Sequence, residues 1–253
     1  MPQFFLPPEA ANDERFRLDG PEAFHIVKVL RHKEGDVLPL FDGRGGRFEG
    51  VITRIGEDGS VEGRLTARAS QPKAAAADVR LYLGLLKASH WELALEKGTE
   101  LGASVLVPVL TPRTVVLLHE AERVHAKRLR WERIVMAAAK QCARADLPRL
   151  EDPVEFRDAI RQCQGRGLTI VAWEGLKGAP AGAALGPALR GLPPDAPRRV
   201  NVFIGPEGGF SDEEIELAES LGALVCGLGP RILRAETAAL AACALVQYEL
   251  GCL

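Results

Sequence analysis

The stretch Val200–Leu240, VNVFIGPEGGFSDEEIELAESLGALVCGLGPRILRAETAAL, contains two glycine-rich turns, each set between an apolar run and a helix start. Val200, Val202, Phe203 and Ile204 read as a buried strand, Gly205-Pro206-Glu207-Gly208-Gly209 as the turn after it, and Ser211 as the opening of a helix. The order then repeats. Ala223 to Cys226 is a second apolar run, Gly227 to Arg234 a second turn, and a further helix begins near Ala235. Strand, turn and helix in repetition define an open, mostly parallel α/β sheet, in which ligands sit beyond the carboxyl ends of the strands. The two turns are expected side by side there.

The chemistry of the turns narrows the ligand. Gly205 to Gly209 lacks the Lys-Ser/Thr of a phosphate-binding loop and the G-x-G-x-x-G of a dinucleotide site. It offers backbone N–H and C=O groups with little side-chain bulk, which suits a flat heterocycle read by the main chain. Arg231 and Arg234 lie at a helix start beside Glu236 and Thr237, where the helix dipole disfavours cations unless an anion or electron-rich group is near. A salt bridge to Glu207 or Glu236 is the alternative account of these arginines.

Upstream, strands alternate with helices. Val79 to Leu86, Val105 to Leu110 and Leu168 to Trp173 read as strands. Ser89-His90-Trp91-Glu92 has the form of a capping box opening a helix that stops at Gly102, and Ser211-Asp212-Glu213-Glu214 is a second such box. A long helix is expected from about His119 to Arg144, another over Val154 to Gln164, and a last one from Ala235 to Leu250 with Gly251 as its C-cap. That last helix is apolar on most sides, as in a core or a subunit interface. Gly175 to Arg199, rich in Ala, Gly and Pro, reads as a loop with one short helix.

The first 71 residues have a different rhythm: Val37 to Phe41, Arg47 to Arg54 and Val61 to Ala67 are short strands with hairpin turns, preceded by a helix over Pro21 to Arg31. Ser70-Gln71-Pro72-Lys73 breaks that rhythm, so two domains are expected, 1–71 and 73–253. The net charge of −2, with 32 Lys+Arg against 34 Asp+Glu, gives no overall signature of a nucleic-acid binder. Locally, Arg113, Arg123, Lys127, Arg128, Arg130, Arg133, Lys140, Arg144 and Arg149 face few acids in sequence, and Lys28, Arg31 and Lys33 share one side of the first helix. Solvated helix faces are the alternative reading of both groups. Five cysteines without C-x-x-C spacing read as reduced core residues of a cytosolic protein, and scattered histidines give no zinc spacing. Neither a signal peptide nor a membrane span is expected.

Five motifs together resemble one family: His25 to Arg31 (HIVKVLR), Lys97 to Gly102 (KGTELG), Lys140 to Arg144 (KQCAR), Ile204 to Ser211 (IGPEGGFS) and Leu228 to Ala239 (LGPRILRAETAA). The chain resembles the ribosomal RNA small subunit methyltransferase E family of the SPOUT superfamily, which methylates N3 of a uridine in 16S ribosomal RNA. The resemblance implies an N-terminal PUA-like RNA-binding β-barrel and a C-terminal α/β domain with a trefoil knot and a mostly parallel sheet. It implies S-adenosylmethionine as the cofactor, bound by Glu174, Gly205, Pro206, Glu207, Gly208, Gly209, Leu228, Gly229, Ile232, Leu233 and Thr237. Arg234, Arg231 and Glu236 become the catalytic residues, and Lys28, Arg31, Arg113, Lys140 and Arg144 the RNA-binding ones. A homodimer acting on 16S RNA or the small subunit in the cytoplasm is implied, with no metal. The proton acceptor stays open between Glu207, Glu236 and water. A SPOUT enzyme with another RNA target, and a non-catalytic RNA-binding assembly protein, are the competing readings. The Gly175–Arg199 segment departs from the family pattern by its length.

Overall fold

The computed structural model describes residues 3–12, 14–70, 77–115, 121–176, 185–193 and 198–253. His119, the stretch 71–76 expected as a linker, and residues 177–184 and 194–197 of the Ala/Gly/Pro-rich segment lie outside the described residues. The chain divides into two compact units, Met1–Ala74 with Met136–Leu147, and Ala75–Val135 with Pro148–Leu253.

The first unit is a six-stranded sheet. Its strands are β1 (Phe4–Phe5), β2 (Ala11–Asn12), β3 (Arg15–Leu18), β4 (Val37–Phe41), β5 (Gly46–Ile55) and β6 (Val61–Ser70), in the order β1-β4-β5-β6-β3-β2. All pairs are antiparallel except β1 with β4. Phe16 of β3 explains two glycines in the long strands: a Cβ on Gly50 or Gly63 would come within 2.5 Å or 2.3 Å of its ring. Register shifts at Glu49/Gly50 and Ile52/Arg54 bend β5, as bulges do. Phe4, Leu6, Leu18, Ile26, Leu38, Leu40 and Ile52 complete this core.

The helix expected over Pro21 to Arg31 is only half α-helical. α1 (Gly20–Phe24) widens into a π-helix over His25–Val29, with Leu30 N–H on His25 O at 3.0 Å. The β-branched run of Ile26, Val27 and Val29 is poor α-helical material. Ala23 and Ile26 face the core as their spacing requires, while Leu30 ends exposed and Arg31 takes φ 59°.

The second unit carries an all-parallel sheet. Its strands are β7 (Asp78–Gly84), β8 (Val105–Leu110), β9 (Arg149–Leu150), β10 (Val154–Glu155), β11 (Leu168–Ala172), β12 (Arg199–Ile204) and β13 (Leu224–Cys226). The order is β10-β8-β7-β12-β11-β13, with β9 also on β8. β12 enters between β7 and β11, pairing Val202 with both Leu81 and Ile170. Its helices are α2 (Ala88–Glu100), α3 (Ala121–Gln141, shared with the first unit), α4 (Phe156–Cys163), α5 (Leu185–Arg190), α6 (Asp212–Ser220) and α7 (Ala235–Glu249).

Alternation along the strands builds two cores. Val79, Leu81 and Leu83 of β7 and Val200, Val202 and Ile204 of β12 point to one face, with Trp91 and Leu95 of α2, Trp131 of α3, Leu189 of α5 and Val246 of α7. Tyr82 and Phe203 point to the other, with Phe156 and Ile160 of α4 and Ile215 of α6. Tyr82 and Phe203 stack at 4.3 Å and 7°, an arrangement worth about 0.5–1.5 kcal/mol beyond the area it buries. A parallel sheet covered on both faces needs such continuous apolar strands.

Two local expectations are corrected. Ser89 does not cap: α2 begins at Ala88 with Lys87 as N-cap, so Ser89 falls inside the first turn, and Glu92 holds Arg130 at 2.7 Å instead of closing a box. Val154 and Glu155 are not helical. They pair with Val109 and Leu110 as a strand, which delays α4 to Phe156.

Candidate functional site

The strand β12 delivers the first turn, Gly205 to Gly209, beyond the carboxyl edge of the sheet. Three neighbouring segments grip it. A Cβ on Gly84, at the end of β7, would lie 2.3 Å from Pro206 N; one on Gly209, at φ +69°, would lie 2.2 Å from Glu174 Oε1; one on Gly208 would meet Arg113 Cβ at 3.0 Å. Arg113 Nη1 donates to the carbonyls of Gly208 and Phe210 at 3.2 and 2.9 Å, and Lys87 N–H donates to Glu207 Oε1 at 3.1 Å. The turn hands over to α6 through the expected capping box: Glu214 N–H donates to Ser211 Oγ at 3.3 Å, and Ser211 N–H to Glu214 Oε2 at 2.8 Å. Burial pushes the Glu214 carboxyl up, against the pull of Ser211 N–H and of Arg113 and Arg157.

β13 delivers the second turn, Gly227 to Arg234, with Gly229 at φ 132° and Arg234 as N-cap of α7. Because β11 lies between β12 and β13, the two turns are separated by the residues leaving β11. Trp173 N–H bonds Cys226 O at 3.0 Å, tying that exit to the second turn.

Both turns and the β11 exit close around one cavity of about 800 Å³. Its wall includes Glu174, Gly205, Pro206, Glu207, Gly209, Leu228, Gly229, Arg231, Ile232, Leu233, Arg234 and Glu236, so nearly every residue expected at the cofactor and catalytic positions meets there. Gly208 instead backs onto Arg113, and Thr237 is an exposed residue outside the lining. Sequence reasoning missed Trp173, Leu176, Ala238 and, above all, His90 of α2, which also line the cavity. Only the sheet order could have brought His90 here, since nothing in its local spacing points to the turns.

The electrostatics are mixed. Glu174, Glu207 and Glu236 face the space together with Arg231 and Arg234, and among the described residues neither arginine has an ion-pair partner. Ile232 stands 84% exposed beside them. Glu236 is only 7% exposed and lies in the first turn of α7, with its Oε1 3.0 Å from His90 Nδ1. Burial raises its pKa, yet its own backbone N–H, the His90 ring and the charge of Arg234 together hold it below the usual carboxylate range. Among the described residues no group of acidic, His and Cys side chains can hold a metal ion, and no helix is long and apolar enough to cross a membrane. All five cysteines are free thiols.

The residues expected to touch RNA fall into two sets. Lys28 and Arg31 are exposed, on the π-helix and just after it. Lys140 pairs with Glu22 at 2.5 Å, Arg144 with Asp146 at 2.9 Å, and Arg113 with the turn carbonyls. Of the remaining basic run, Arg128 pairs with Glu132 and Asp152, Arg130 with Glu92 and Arg149 with Glu151, while the Arg123 side chain lies outside the described residues. Lys127 and Arg133 have no ion pair among the described residues, so the concentration of cations in sequence is matched only in part by carboxylates.

An open parallel sheet with backbone-rich turns at its carboxyl edge, closing on a mixed polar and apolar cavity, defines a small-molecule-binding α/β protein, and known families give it a class. Residues 73–247 match the family model of an RNA methyltransferase domain, and residues 18–65 that of an RNA methyltransferase PUA domain. Ribosomal RNA small subunit methyltransferase E of Bacillus subtilis is 31% identical over 92% of this chain and 90% of its own. The Synechocystis protein of that name is 32% identical over 91% and 72%. A solved structure of ribosomal RNA small subunit methyltransferase E from Neisseria gonorrhoeae, bound to S-adenosyl methionine, superposes with a TM-score of 0.82 at 26% identity, covering 98% of this chain and 97% of that one. The chain belongs to the ribosomal RNA small subunit methyltransferase E family.

Proposed function

We propose that the chain binds S-adenosylmethionine in the cavity of the second unit and methylates N3 of a uridine in 16S ribosomal RNA of the small subunit. The observation that carries this reading is the convergence on one cavity of two main-chain-rich turns, the first of which lacks the Lys-Ser/Thr of a phosphate-binding loop. The residues fit the cofactor. Apolar Ile204, Leu228 and Leu233 with the bare backbone of Gly205 and Gly229 suit an adenine, and Glu174, Glu207 and Glu236 suit a ligand carrying positive charge. Bound there, S-adenosylmethionine supplies an electrophilic methyl group on a sulfonium.

The protein's own part is orientation and charge. Glu207, held by Lys87 N–H, and the turn gripped by Arg113 give the cavity a hydrogen-bonded wall that would restrict the orientation of bound groups. Arg231 and Arg234 offer cations to the negative charge that develops on the uracil carbonyl oxygens as N3 loses its proton. The Watson–Crick edge must be free, so the uridine reacts unpaired or flipped out. Exposed Lys28 and Arg31 suit phosphate contacts by the first unit, in keeping with a PUA-like RNA-binding role. We further assign to this chain the trefoil knot of SPOUT enzymes, a cytoplasmic location and a homodimer formed through α7. The exposed apolar residues Leu245 (44%) and Tyr248 (69%) of α7 support that interface.

The test is transfer of a tritiated methyl group to small-subunit RNA by wild-type protein and by Arg234→Ala. The variant is expected to keep its calorimetric affinity for S-adenosylmethionine and to lose transfer by at least about 100-fold. Near-normal turnover would remove Arg234 from the mechanism, and no transfer by the wild type to any small-subunit RNA would overturn the reading.

A further inference from the structure

We propose that His90 and Glu236 form a dyad in which the Nε2 of His90 accepts the proton from the reacting base, a role that rests on the methyl-transfer reading above. Glu236 Oε1 lies 3.0 Å from His90 Nδ1, and Glu236 is buried in the first turn of a fifteen-residue helix. An ionised carboxylate has acceptors only, so a contact of that length to a ring nitrogen requires the proton to be on Nδ1. The neutral imidazole must then present its lone pair at Nε2. His90 forms part of the cavity wall, with its side chain 33% exposed, so that lone pair belongs to a ring reachable from the space where a substrate would sit.

The two carboxylates otherwise available as bases are less suited. Glu236 is held in its ionised form by His90, by its own backbone N–H and by Arg234, which makes it a weak proton acceptor. Glu207 uses Oε1 to accept from the N-cap of α2. The charged groups sharing the cavity with His90 are Glu174 from the β11 exit, Glu207 from the first turn, Arg231 and Arg234 from the second turn, and Glu236 from α7. Glu92, on the same helix, is occupied by Arg130.

The step balances. The uracil N3–H bond breaks as Nε2 takes the proton, the N3 lone pair forms a bond to the methyl carbon, and the electrons of the carbon–sulfur bond return to sulfur, leaving a neutral thioether. The positive charge of the sulfonium is thereby transferred to an imidazolium whose Nδ1–H already points at the Glu236 carboxylate. The imidazolium then releases the proton to water. Glu236 acts as a positioning residue, as the acid of an acid–histidine pair does in hydrolases.

His90→Gln keeps a donor for Glu236 but cannot take a proton. It is expected to bind S-adenosylmethionine with unchanged calorimetric affinity, to slow single-turnover methyl transfer by about 100-fold, and to lose the acid limb that imidazolium formation gives the wild-type pH–rate profile. Long-range nitrogen NMR on the wild type, which needs no turnover, is expected to find His90 protonated at Nδ1, and Glu236→Gln to abolish that preference. Wild-type transfer matched by His90→Gln in rate and pH profile would overturn the role of His90 alone, as would a ring protonated at Nε2. No transfer by the wild type would overturn the methyl-transfer reading and this role with it.

Discussion

Gly84 closes β7 beneath the first turn, and the only thing it contributes there is the absence of a side chain. A Cβ at this position would meet Pro206 N at 2.3 Å and Gly205 C at 2.8 Å, both backbone atoms that cannot swing aside. Gly84→Ala must therefore displace the turn or the strand. We expect a loss of about 1–3 kcal/mol in urea unfolding, the range of overpacked cores, together with at least tenfold weaker binding of S-adenosylmethionine by calorimetry. Normal values of both would show that the turn yields freely. Gly84 was not readable as a site residue, because the sequence places it at the end of an ordinary apolar run. The glycines of the turns themselves were readable, because five residues of low bulk follow a strand and precede a cap within one short window. His90, Arg113 and Gly84 reach the same place from distant segments, and no local spacing encodes that.

At the scale of elements, α6 and α2 show why one capping box formed and the other did not. Ser211 follows a turn that ends in Gly209 at φ +69° and Phe210 buried in the core, so the chain arrives extended, as an N-cap requires. Ser89 lies two residues after Lys87, whose own N–H is already taken by Glu207, and the helix starts two residues too early for the box to close. Ser211→Ala is expected to cost about 1 kcal/mol of stability, read as a lower urea midpoint with unchanged slope, while Ser89→Ala leaves the midpoint in place. An equal loss from both would mean that the Ser211 hydroxyl contributes nothing specific. The strands were the most legible elements: β8 has the bounds its apolar run predicts, because a parallel strand buried on both faces has no polar alternation to blur its ends. The short strand at Val154–Glu155 and the π-helix depend on neighbours and were not visible in periodicity.

For the molecule as a whole, charge and exposed apolar surface tell different stories. In the basic run that stands out in sequence, Arg130, Arg128 and Lys140 are met by Glu92, Asp152 and Glu22 brought in by the fold and Arg149 by its near neighbour Glu151, so its apparent electropositive character is partly cancelled. The apolar residues left outside α7 have no such counterpart. With Leu245 and Tyr248 one turn apart, the proposed dimer is expected to dissociate in Tyr248→Asp. Sedimentation should give a dimer for the wild type and a monomer for the variant, and a wild-type monomer at micromolar concentration would remove the interface. The change of rhythm after residue 71 leads to the expectation of domains 1–71 and 73–253, and the chain divides into Met1–Ala74 with Met136–Leu147 and Ala75–Val135 with Pro148–Leu253. The place of Met136–Leu147 in the first unit was not visible in that rhythm, since it is decided by contacts of Gln3 and Glu22 with the end of α3.

The entry of β12 between β7 and β11 also has a meaning for synthesis. These two strands come earlier in the chain: β7 leaves one edge open until Arg199–Ile204 arrives, and β11 has neither of its sheet neighbours until Arg199–Ile204 and then Leu224–Cys226 arrive. A nascent or truncated chain that stops short of Arg199 thus carries two apolar strands whose unmet N–H and C=O groups can be satisfied by another chain. The two turns follow that strand, so such a fragment also lacks most of the cavity wall. The last fifth of the molecule, from Arg199 onward, is at once its keystone, most of its cavity wall and its safeguard against pairing with the wrong partner on the ribosome.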